Sequence, residues 1–175
     1  MPSLKFTEGF IFSGELIRAM LKMAQDSCSH NIEYGTYLCK KKRLIYPDII
    51  CKGTGEAINI VGHAEGNFVG RFHTHPRTSF AQSVHDHMGM LEELVQNTHH
   101  IECVYGYKDD AIQCVEYKCT PDERRYIIKY LPVVKNEDNF KVKFLQLLQR
   151  LTVSTKVYTL KELEQAIRPR GAAHG

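Results

Sequence analysis

The feature that most constrains this chain is the repeated change in the spacing of its apolar residues. Residues 4–13 alternate as a half-buried strand requires, and Leu16, Ile17, Met20, Leu21 and Met23 then recur at helical spacing. Strand-like runs follow over 32–51 and 57–63, where β-branched and aromatic residues fall between turn signals such as Pro47-Asp48 and Gly53-Thr54-Gly55. Residues 68–75 read as another strand, stopped by Pro76. Ser83 then fits the N-cap of a helix whose stripe is Met88, Leu91, Leu94 and Val95, ending near Asn97. A strand pair over 101–107 and 112–117, turning at Lys108-Asp109-Asp110, precedes a helix over 121–131. Strands and helices in this alternation predict an α/β domain.

At 175 residues the chain has room for one such domain and a small appendage. We expect that domain over 1–131, a linker or loop over the polar stretch 132–139, and a C-terminal helical extension over 140–168. The extension reads as two short helices, the second opened by a Thr159–Glu162 capping box, and 169–175 as a flexible tail. Hydrophobic residues at 43% and charged residues at 25% exclude a disordered or fibrous chain. A net charge of +3, with its one tight basic run at Lys40–Arg43 inside strand-like sequence, argues against a nucleic-acid partner. No apolar run reaches the ~18 residues a membrane span needs. Six cysteines without a secretory pattern at the N-terminus point to a reducing, cytoplasmic setting.

Chemistry concentrates in Arg71-Phe72-His73-Thr74-His75-Pro76 and, six residues on, Ser83-Val84-His85-Asp86. Residues two apart in a strand share a face, so His73 and His75 can offer two imidazoles to one ion, and Pro76 favours the extended geometry this needs. Asp86, in the first turn of the helix begun by Ser83, supplies a carboxylate and leaves a fourth tetrahedral position open, as a catalytic zinc requires. Ser83 and Asp86 are equally the pair that caps a helix, a role compatible with the first. His85 and His87 are expected to face solvent, and His99 and His100 to be structural.

This pattern resembles the signature of the JAMM (MPN-plus) metalloproteases. Glu33, in Glu33-Tyr34-Gly35-Thr36-Tyr37-Leu38, stands where that family has its upstream glutamate, 40 residues before His73. The resemblance spans residues 4–118 and implies an MPN fold, cytidine-deaminase-like, in which a curved and largely antiparallel sheet is flanked by helices. It implies one Zn2+ per chain held by His73, His75 and Asp86, with Glu33 as general acid and base and Ser83 as oxyanion donor. The reaction implied is hydrolysis of the isopeptide or peptide bond after the C-terminal tail of ubiquitin or a ubiquitin-like modifier. Loop 77–82 is short, which points to a compact enzyme, and its Phe80 is a candidate wall for that tail.

Other readings remain open. Glu33 can instead be a strand glutamate facing solvent, with Glu65 as the reserve base. Two histidines and a carboxylate also serve non-haem iron oxygenases. A scaffold with weak or lost catalysis is the third possibility.

Overall fold

The computed structural model describes residues 2–63 and 66–168, so Glu65 and the expected tail over 169–175 lie outside the described residues. The run over 4–13 is not one strand but a hairpin of β1 (Ser3–Thr7) and β2 (Phe10–Ser13), reversed at Glu8-Gly9. Helix α1 (Gly14–His30) begins on Ser13, whose hydroxyl accepts the Leu16 amide at 3.0 Å. It ends at Asn31, which takes the left-handed conformation (φ 55°) that asparagine tolerates. All five residues of the expected apolar stripe are buried.

Next come β3 (Tyr34–Lys41), β4 (Leu44–Pro47), the two-residue β5 (Cys51–Lys52) and β6 (Phe68–His75). The strand expected over 57–63 does not form. β3 gives one edge to β6 and the other to β4 and β5, and the intervening chain turns back at Thr54, whose amide donates to Ala57 O at 2.8 Å. Helix α2 (Val84–Asn97) follows, then the hairpin of β7 (His99–Gly106) and β8 (Ala111–Lys118), and α3 (Pro121–Tyr130).

Within 132–139 the polypeptide stays on the body of the protein. A 3-10 turn at Leu131–Val133 leads to a buried Val134, and α4 (Glu137–Leu151) opens on Asn136, whose side chain accepts the Asn139 amide at 2.9 Å. A strand not anticipated between the two terminal helices, β9 (Thr152–Thr159), pairs antiparallel with β8, and α5 (Leu160–Ile167) closes the described chain.

The strands form one mixed sheet in the order β1-β2-β4-β3-β6-β7-β8-β9, with β5 on β3. The pairs β2–β4 and β6–β7 are parallel and the others antiparallel. Side chains alternate between two cores. α1 and Leu163 of α5 cover Phe72, Ile101, Cys103 and Tyr105 on one face. α2, α3 and α4 cover Val115 and Tyr117 on the other. Phe72 therefore faces α1, and the alternation turns Arg71, His73 and His75 toward the side that carries α2.

Candidate metal centre

Strand β6 ends on the two histidines, and the first turn of α2 brings Asp86 to them. His73 Nε2 lies 3.1 Å from His75 Nε2, and Asp86 Oδ2 lies 3.2 Å from His75 Nε2 and 3.5 Å from His73 Nε2. Ligands about 2.0–2.1 Å from a tetrahedral zinc stand about 3.3 Å apart, so this triangle has the edges of one tetrahedral face. Both histidines are buried. A carboxylate oxygen of Glu33 also lies within 4.8 Å of a nitrogen of each imidazole, so Glu33, His73 and His75 form a group that could hold a metal ion. Asp86 Oδ2, 3.2 and 3.5 Å from the two imidazoles, is placed where it could serve the same ion.

The donors are held by their neighbours. His75 Nδ1 sits 2.7 Å from Ser79 O. A carbonyl only accepts, so Nδ1 carries the proton and Nε2 presents its lone pair to the site. Asp86 Oδ2 accepts the Ser83 amide at 3.1 Å, and Ser83 Oγ accepts the Asp86 amide at 3.0 Å, which completes a capping box. Since Ser83 Oγ spends only a lone pair on the cap, its proton remains available to a substrate oxygen.

Glu33 arrives from the far side of β6. Thr74, between the two histidines, accepts the Tyr34 amide at 2.9 Å and donates to Ser27 Oγ at 2.7 Å, while Ser27 donates to Ile32 O at 2.7 Å. This buried chain ties the start of β3 to α1 and β6. Glu33 is further pinned by main-chain bonds with Gly53 and Thr54, each 2.7 Å. Gly35, registered opposite His73, lets this happen: a Cβ there would stand 2.7 Å from Phe72 O and 2.9 Å from Ile60 Cδ1.

Burial and neighbouring charge oppose each other at each titratable group of the cluster. Burial works to lower the His73 pKa, but the neighbouring Asp86 and Glu102 carboxylates outweigh it and raise the value to about 9. Burial would push the Asp86 carboxyl up, yet His73 and His75 hold it far below the usual carboxylate range. A metal bound at His73 would have to displace that proton. At Glu33 burial wins instead, and its pKa is raised.

Two clefts meet at Glu33, Ser83 and Asp86. One, of about 460 Å3, runs past His75, Arg77, Gly55 and Gln82. The other, of about 470 Å3, runs past Tyr37, Ile58, Ile60, Arg71 and Met88. Phe80 lines neither cleft. Its amide donates to Asp109 Oδ2 at 2.7 Å, and its backbone lies over Gly106, so the residues that loop 77–82 turns to the cleft are Arg77, Thr78, Ala81 and Gln82. His85 is exposed at the second cleft, His87 stacks on Phe140, and His99 bonds Glu116 at 2.7 Å.

Sequence reasoning missed Glu102, the partner of His100, which was expected to be structural. Both are buried on β7, with His100 Nε2 2.6 Å from Glu102 Oε1. Their signal was a carboxylate inside the otherwise apolar strand Ile101-Glu102-Cys103-Val104-Tyr105. Compared with known proteins, the chain matches no protein-family model, and no curated protein matches it.

Proposed function

We propose that this chain is a zinc metallopeptidase of the JAMM (MPN-plus) type, which hydrolyses the isopeptide or peptide bond after the C-terminal tail of ubiquitin or a ubiquitin-like modifier. The observation that carries the reading is the His73–His75–Asp86 triangle of 3.1–3.5 Å with Glu33 and Ser83 at its rim. His73, His75 and Asp86 would hold a zinc ion, which would supply Lewis-acid activation of water and of the scissile carbonyl. Glu33, with a carboxylate oxygen within 4.8 Å of a nitrogen of each imidazole, would take a proton from the attacking water and return it to the leaving amine. The Ser83 hydroxyl, whose oxygen accepts the Asp86 amide, keeps a proton that could be donated to a developing alkoxide. The two clefts on either side give an extended tail a path through the site.

The same donor set also suits iron, but an oxygenase has no use for a base and a hydroxyl at the rim, and these favour hydrolysis. The test is cleavage of a modifier whose tail carries a fluorogenic amide or a lysine isopeptide. Activity in wild type, removed by Glu33→Gln with bound metal retained, supports the reading. An inactive wild type with its metal in place refutes it.

A further inference from the structure

Behind the candidate ligands lies a charged group that the proposed reaction does not use. Glu102 on β7 is wholly buried, and its Oε1 accepts from Arg71 Nε at 3.1 Å and from His100 Nε2 at 2.6 Å. Its other oxygen, Oε2, is buried, has no hydrogen-bond partner among the described residues, and lies 3.5 Å from His73 Nδ1. A buried ion pair is commonly no more stabilising than well-packed apolar residues in its place, and a buried acceptor left unpaired is a cost. Packing therefore does not explain this carboxylate. Its direction does, because Oε2 faces the ring nitrogen of His73 opposite the one turned to the metal site.

Arg71 extends the arrangement. It stands opposite Glu102 in the parallel β6–β7 register and two residues before His73 on the same face of β6. Its Nη2 reaches the main-chain oxygen of Asp86 at 3.5 Å. One guanidinium thus touches the carboxylate behind one candidate ligand and the backbone of another.

We propose that Glu102 and Arg71 are positioning residues of the metal centre. Glu102 accepts a hydrogen bond from His73 Nδ1–H, which leaves Nε2 with its lone pair toward the ion, and Arg71 holds Glu102 and the first turn of α2 in register with each other. Histidine ligands whose second nitrogen meets a carboxylate are fixed in tautomer and orientation, and losing that partner weakens metal binding about 10- to 100-fold. The inference rests on the metal reading of His73, His75 and Asp86.

The test is zinc affinity by chelator competition, with the visible absorption of the cobalt-substituted protein, on full-length wild type, Glu102→Gln and Arg71→Lys. Both variants are expected to bind zinc about 10-fold more weakly or worse, with altered cobalt bands. Residues that only stabilise the fold would lower the metal-free melting temperature and leave zinc affinity and the cobalt spectrum unchanged, and that result overturns the proposal. Should Glu102→Gln fail to fold, Arg71→Lys, which keeps the charge but loses the reach to Asp86, decides alone. A wild type that binds neither zinc nor cobalt overturns the metal reading itself, an outcome separate from wild-type affinity in the variants.

Discussion

Replacing Gly70 by alanine places a Cβ 1.8 Å from Ile101 O, a backbone atom of the strand paired with β6. Ordinary contact begins near 3.4 Å, so β6 and β7 must part locally by 3.4 − 1.8 = 1.6 Å. That distance breaks ladder bonds rather than stretching them. Two or three lost bonds at about 1 kcal/mol each, with overpacking of about 1–3 kcal/mol, give a destabilisation of about 4 kcal/mol. At about 2–4 °C per kcal/mol for a chain of this size, Gly70→Ala lowers the melting temperature by about 8–16 °C. Gly35→Ala meets Phe72 O at 2.7 Å, a shortfall of 3.4 − 2.7 = 0.7 Å, and its second neighbour is the movable end of Ile60. It should cost about 1–2 kcal/mol. Gly9→Ala meets nothing within 4 Å and should stay within about 0.5 kcal/mol of wild type. Urea and thermal unfolding of the three variants give the ranking. Gly70→Ala as stable as Gly9→Ala would refute the reasoning, since the close approach of β6 to β7 would then not be a constraint.

Three further outcomes are expected. Glu33→Gln lowers kcat/KM by about 10²- to 10⁴-fold at unchanged metal content, and loss of metal along with activity would instead make Glu33 a ligand. In the metal-free protein burial raises the Glu33 pKa, so its carboxyl should titrate above 4.5 by NMR, and a value at or below that contradicts the buried placement. In the metal-free protein the same shift contributes stability below pH 4.5 that is lost as pH rises through the raised value. Ser83→Ala removes the α2 cap at about 1 kcal/mol and lowers kcat by a larger factor than KM changes, whereas a stability loss at wild-type kcat would leave Ser83 a cap alone.

Much of the site was legible because its signals are local. β6 runs over the expected 68–75, the stripe of α1 is buried, and Ser83 caps α2 with Asp86 one turn in. What could not be read was whatever depends on strand pairing. Glu33, named only through the family resemblance, reaches the histidines through the β3–β6 register, and Glu102, not named at all, reaches His73 through the β6–β7 register, neither of which spacing along the chain reveals. Residues 57–63 carry the β-branched character of a strand, but β3 has no edge left for them. β9 escaped notice for the opposite reason. Only Tyr158 of its eight residues is buried, so it shows little alternation, although Thr152, Val153, Thr155 and Val157 carry β propensity.

The most direct test of the account is the metal content of purified wild type and His75→Ala, measured by elemental analysis under the same mild conditions. We expect about one zinc per chain in wild type and its loss in the variant. Iron in place of zinc would favour an oxygenase. No metal in wild type after zinc is offered, or equal metal in both proteins, would contradict the assignment of His73, His75 and Asp86 as a metal centre.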